Sequence, residues 1–303
     1  MTLPATTTSR YPLLGLYLRL TAVPFFWGGT FIAGRVISAE LPPATAGCIR
    51  FVFATLALLI ALHLTEGLSV LKRVTRAQWA GTFVLGLTGI MLYNICFFNA
   101  LKYMPASRTS LFIALNPVVT LILAAVFFGD RITLTRWFGV ALALVGVLVV
   151  VTHGDLTQLA GSFGAGELSM IVAVSAWAIY TLRGRKLLRE LSPLLTTLLA
   201  ALWGTLLLAL CAIPELPRLH VEHINLKVFA GLFYLGVFGT AVGFVWYYQG
   251  VSRIGAAKTV IFNNLVPVFG VLLGWLLLGE QLTPSLIVGG LLAITGVFLV
   301  NRP

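Results

Sequence analysis

The sequence predicts an all-α polytopic membrane protein, with ten transmembrane helices arranged as two inverted five-helix repeats around a central cavity. Three observations carry that expectation. Of the 303 residues 59% are hydrophobic and only 10% charged, where a soluble chain of this size carries about 25% charged residues. The apolar residues fall in long blocks rather than amphipathic stripes, and about 20 mostly apolar residues suffice to cross the hydrocarbon core. Finally, the chain is written twice. Trp27, Gly34-Arg35, Glu40, Pro43, Pro117, Gly129-Asp130, Thr133, Gly139 and Gly146 recur as Trp177, Gly184-Arg185, Glu190, Pro193, Pro267, Gly279-Glu280, Thr283, Gly289 and Gly296, at one constant offset and without insertion or deletion. A repeat this long duplicates a whole bundle, not a short solenoid module.

Taken in order, residues 1–12 form a short polar lead without the small-residue cleavage site of a signal peptide. Spans follow at 14–37, 44–64, 78–99, 104–128 and 134–152, which with their flanks make a first unit over 13–152. A glycine-rich linker from His153 leads to a second unit over 166–303, with spans at 167–188, 193–213, 227–249, 256–278 and 285–301. The connections leave no room for a soluble catalytic domain. An odd number of spans per unit forces the second to enter the membrane from the opposite side, the inverted-repeat arrangement usual in secondary transporters.

Lysine and arginine set the orientation. With the N-terminus in the cytoplasm, fourteen of the 20 fall on inner segments, leaving Arg35, Arg50, Lys102, Arg108, Arg218 and Lys227 at outer ends. Both termini are therefore expected in the cytoplasm. The net charge of +11 fits anchoring to an anionic lipid leaflet rather than binding of nucleic acid. Cys48, Cys96 and Cys211 lie inside apolar blocks, as packing residues rather than a disulfide framework.

Polar residues mark the functional spans. The second and fifth spans of each half are almost wholly aliphatic, as scaffold or lipid-facing helices would be. The others carry Trp27, Thr30, Tyr93, Asn94, Phe97, Asn116, Trp177, Tyr180, Tyr247 and Asn263. Polar side chains at depth face the bundle interior or a cavity, so these ten are the candidate substrate-binding residues. Asn94, Asn116 and Asn263 offer donors and acceptors without a buried charge. Pro117 and Pro267 are candidate hinges, because each deprives the carbonyl four residues earlier, on Ile113 and Asn263, of its donor. Ligand, water or protein must satisfy such groups in a membrane.

No catalytic constellation is evident. All nine acidic residues fall in loops or near span ends, which leaves no carboxylate at mid-membrane as an ion relay. There is neither a phosphate-binding loop for ATP nor a zinc motif, and the pair His220 and His223 reads as a solvated loop. No metal and no cofactor is expected.

Each half resembles an EamA domain of the drug/metabolite transporter (DMT) superfamily. The pattern is a tryptophan early in the first span, a proline in the fourth, and Gly-Asp/Glu-x-x-Thr before a glycine-bearing fifth. Here it reads Trp27, Pro117, Gly129-Asp130-Arg131-Ile132-Thr133, and Trp177, Pro267, Gly279-Glu280-Gln281-Leu282-Thr283; Asp130 stands where glutamate is usual. Within the superfamily the chain is most similar to bacterial inner-membrane exporters of aromatic and other neutral amino acids, of the YddG type. The resemblance implies a multi-pass inner-membrane exporter whose first, third and fourth spans in each half line a central cavity. Its partners would be membrane lipid and a small molecule, an amino acid in the first instance. Drugs, nucleosides or other small metabolites are the alternative cargo. An integral-membrane enzyme or a lipid-handling protein is the reading from another class.

Overall fold

The computed structural model describes residues 11–128, 133–155, 163–219, 222, 224–255, 259 and 262–300. The first copy of the Gly-Asp-Arg-Ile stretch (129–132), Arg10, His220, His223, Lys258 and Arg302 lie outside them. Among the described residues every regular element is helical.

Among the described residues, eight helices are long and apolar enough to cross a membrane. They are α1 (Tyr11–Glu40), α2 (Pro43–Thr65), α3 (Arg76–Tyr103), α4 (Ala106–Leu111, running on through Phe112–Leu115 to Asn116–Phe128), α5 (Leu134–Val151), α6 (Ala165–Leu187), α7 (Pro193–Ala212) and α8 (Leu226–Ile254). Two shorter apolar helices follow, α9 (Leu265–Leu278) and α10 (Pro284–Val300). The sequence places the ninth span from 256. Residues 256–258, 260 and 261 lie outside the described residues; Thr259, Phe262 and Asn263 are helical, and after a turn at Asn264 helix α9 runs from Leu265, close to Pro267, whose ring has no N–H for the carbonyl of Asn263. Pro117 has a parallel effect in α4, where Phe112–Leu115 tighten into a 3-10 turn and the Asn116 N–H takes up the Ile113 carbonyl. That carbonyl is therefore satisfied by the chain itself, one of the three possibilities the sequence leaves open.

The second copy of the recurring stretch, Gly279 to Thr283, is a double helix cap. Gly279 ends α9 in a left-handed conformation (φ 66°), which glycine adopts at little cost. The chain then turns so that Glu280 accepts from the N–H groups of Ala106 (2.7 Å) and Ser107 (2.8 Å), the first turn of α4 in the other half. A carboxylate there satisfies orphan donors and meets the positive end of the helix dipole. Thr283 caps α10 by accepting from Leu286 N–H (3.2 Å), as Thr133 caps α5 by accepting from Arg136 N–H.

The two halves meet with roles exchanged. Helix α1 packs on α8 and α9, while α6, its counterpart, packs on α3 and α4; α2 lies against α7, and α5 against α10. The reciprocity reaches single atoms. Thr55 and Thr205, equivalent positions on α2 and α7, hydrogen-bond each other at 3.0 Å. On the α5–α10 seam, a Cβ at Gly146 would lie 2.5 Å from the Gly289 carbonyl, and one at Gly289 2.5 Å from that of Gly146. Gly139 and Gly296 face each other in the same way. The glycines bring two backbones together as small residues do in membrane helix pairs. Exposed Leu18, Leu56, Ile60, Phe138, Leu276 and Leu291 turn apolar surface outwards, as lipid contact requires.

Candidate functional site

Both α3 and α8 loosen into a π-helical stretch, at Gly86–Leu92 and Val237–Val242, at equivalent points of the halves. A π segment interrupts the ordinary ladder and leaves backbone groups for other partners. The indole N–H of Trp27 donates to the Gly239 carbonyl (2.9 Å), and the Asn94 amide donates to the Ile90 carbonyl (2.7 Å). The Thr240 hydroxyl donates five residues back, to Leu235 (2.9 Å). Each π segment thus fixes a side chain facing the centre of the molecule.

Trp27 and Asn94 help to wall a central cavity of about 40 Å³ that is not fully enclosed, room for a few waters at about 10–15 Å³ of accessible space each. Trp27, Thr30 and Phe31 come from α1, Tyr93, Asn94 and Phe97 from α3, and Ile113 and Asn116 from α4. Trp177 of α6, Phe244 of α8, Asn263 and Val266 complete the second side. Aromatic rings meet across it. Trp27 and Trp177, equivalent residues, stand edge to face at 5.8 Å; Tyr93 lies 5.4 Å and Phe244 5.3 Å from Trp177.

Eight of the ten residues expected from sequence line this space: Trp27, Thr30, Tyr93, Asn94, Phe97, Asn116, Trp177 and Asn263. Tyr180 and Tyr247 stand one layer behind. Tyr180 stacks on Trp177 at 5.0 Å, and the Tyr247 ring lies 5.4 Å from Trp27. The candidate hinges Pro117 and Pro267 are both buried next to lining residues. The amide oxygens of Asn116 and Asn263 are buried and accept no hydrogen bond among the described residues.

Arg50 corrects the sequence reading. Counted there as a charge at the outer end of an aliphatic scaffold span, it is 4% exposed and forms part of the cavity wall. Its Nη1 donates to the Asn94 side-chain oxygen (2.9 Å), and its Nε and Nη2 donate to the Thr240 hydroxyl (3.2 and 3.1 Å). The guanidinium lies over the rings of Phe51 and Phe97. The signal available in the sequence was depth. Arg50 is the eighth residue of α2, about 10 Å from its start at 1.5 Å per residue. Among the described residues no group of three or more His, Cys, Asp or Glu converges as a metal site would require.

Comparison with known proteins finds the EamA-like transporter family over residues 14–152 and again over 164–302. The uncharacterized transporter YyaM of Bacillus subtilis (strain 168) is 30% identical over 289 residues, 95% of this chain and 94% of that protein. A probable terminal-alkyne amino-acid exporter of Streptantibioticus cattleyicolor is 30% identical over 278 residues, 91% of this chain and 90% of its own. A solved crystal structure shares the fold with a TM-score of 0.66 at 21% identity, covering 92% of this chain and 94% of the other.

Proposed function

The chain belongs to the EamA-like transporter family, and from that premise we propose that it exports neutral amino acids, aromatic ones among them, across a bacterial inner membrane. The helices form ten spans in two inverted units, 13–152 and 166–303, with both termini in the cytoplasm. Cargo is taken at the centre and released by alternating access, with Pro117 and Pro267 as hinges. The observation carrying this reading is the aromatic-walled cavity where the halves meet. Its aromatic walls suit an apolar side chain, and the two unpaired amide oxygens suit an ammonium group. The exchanged contacts between halves support the inverted arrangement, since a two-fold relation gives reciprocal pairs. The amino-acid exporter of S. cattleyicolor supports the cargo class.

Drugs, nucleosides or other small metabolites are the second reading, which the aromatic walls favour because π faces accept any flat ring. With no acidic residue among the described residues of the cavity wall, cargo is expected to run down its own gradient without a proton or sodium gradient. The test is counterflow in liposomes of purified protein, offered labelled phenylalanine, leucine, lysine, uridine and a cationic dye. Accumulation of phenylalanine and leucine is the expected result. Movement of uridine or dye with no amino acid moving would overturn the reading.

A further inference from the structure

Arg50 is a buried cation whose two polar partners, Asn94 and Thr240, are both neutral. An ion taken from water into an apolar interior costs several kcal/mol unless a partner and hydrogen bonds compensate it. The two neutral oxygens engage three of the five guanidinium N–H groups, and a fourth and fifth remain, one on each terminal nitrogen. A charge and two spare donors on a planar fork are what a carboxylate takes up bidentately. The same cavity contains the complementary deficit in the buried acceptors of Asn116 and Asn263.

Arg50 is also dispensable to the repeated scaffold. Its counterpart on α7 is Ala200, which occupies the equivalent position fully buried and without charge. The residue that orients it, Thr240, is likewise particular to one half, its counterpart being Ile90. A cation set into one copy, tethered by a hydroxyl added to the other, faces the cavity rather than any carboxylate of the described residues.

We infer that Arg50 is the seat of the cargo's carboxylate, with the Asn116 and Asn263 oxygens receiving its ammonium group, so that the cavity selects the zwitterionic head of an α-amino acid. This rests on the amino-acid reading and sharpens it, since without Arg50 the walls would serve an amine or a neutral ring equally well.

The experiment measures binding to purified wild-type protein, read from quenching of the cavity tryptophans, for four ligands of one side chain. Phenylalanine carries both charges, phenethylamine lacks the carboxylate, phenylalaninamide masks it, and 3-phenylpropionate lacks the amine. Wild type should prefer phenylalanine to phenethylamine and to the amide by tenfold or more. Arg50→Gln should weaken phenylalanine and 3-phenylpropionate by tenfold or more and leave phenethylamine within twofold. Arg50→Lys should fall between. If Arg50→Gln does not fold, Thr240→Val keeps the charge and loosens its tether. It should weaken the two carboxylates severalfold and spare the amine.

Equal losses for amine and carboxylates, or a wild type indifferent between phenylalanine and phenethylamine, would overturn the seat while leaving amino-acid export standing. Arg50-dependent binding of 3-phenylpropionate without any amino acid would keep the seat and overturn the amino-acid reading. Binding of none of the carboxylates would overturn both.

Discussion

Placing the two halves side by side separates what the duplication supplied from what divergence added. The scaffold is shared: Trp27 faces Trp177, Thr55 bonds Thr205, and both third spans carry a π segment at the same point. The cavity chemistry is divided. Where the first half has Arg50, Tyr93, Asn94, Ile113 and Asn116, the second has Ala200, Gly243, Phe244, Asn263 and Val266. At each of these pairs one half supplies a polar group and the other an apolar or small residue. A repeated frame thus surrounds a centre with distinct ends, as a cargo with distinct ends would require.

The comparison is broken most completely by topology. If the halves are inverted, equivalent positions 72 and 222 lie on opposite faces. With Cys48, Cys96 and Cys211 removed, a membrane-impermeant thiol reagent added outside whole cells should label a cysteine at Glu222 and leave one at Lys72 unlabelled. Labelling of both from one side removes the inversion.

The next largest effect falls on the glycine seam. Gly146→Leu and Gly296→Leu each put a side chain where a Cβ already lies 2.4 Å from a backbone nitrogen of the facing helix. Each should destabilise by about 3 kcal/mol, the upper part of the overpacking range, and by similar amounts in both halves. Melting midpoints in detergent measure this; a large loss in one half only would show that the seam is not symmetric.

A more selective change exchanges chemistry rather than shape. Asn263→Ile gives the second half the residue of the first, and Asn116→Val does the reverse. Each removes a buried acceptor that has no donor, so the fold should hold or gain about 1 kcal/mol. Phenylalanine counterflow should fall about tenfold, the worth of one lost polar contact to cargo. Unchanged counterflow with a raised melting point would make the two amides bystanders.

The smallest effect is expected where the halves touch through identical residues. Thr55→Val and Thr205→Val each delete a bond that both side chains share, at about 0.5–1.5 kcal/mol apiece. Because one bond cannot be lost twice, the double variant should cost less than the sum. A strictly additive pair in thermal melts would place the two hydroxyls in separate interactions.

Much of this architecture was legible in the chain. The apolar blocks announce the helices, and the constant offset between Trp27 and Trp177 or Pro117 and Pro267 announces the duplication. Tyr93, Asn94, Asn116 and Asn263 were found because polar groups in apolar runs have few places to go. Arg50 was missed since a charge within two turns of a helix start reads as interfacial, and only the packing of α3 and α8 over it shows the burial. Tyr180 and Tyr247 lie on the right helices, but one layer back, a distinction that side-chain direction and not composition decides. The turn at Asn264 beside Pro267 is a local break that an apolar-block reading smooths over.

The buried guanidinium of Arg50 also has an electrical consequence. Carrying one elementary charge through the full membrane field changes its free energy by about 2.3 kcal/mol per 100 mV. Arg50 stands on α2, which packs along α7 through the Thr55–Thr205 contact, so its charge is tied to the frame rather than to the cargo. Under the proposed carboxylate seat, a zwitterion beside it would cross without net charge. A cationic amino acid leaving a cell that is negative inside would work against the field and meet a like charge in the cavity wall. Voltage then neither drives nor opposes the outward passage of a zwitterion, and a recording of current, silent for phenylalanine and not for lysine, would separate the two kinds of cargo.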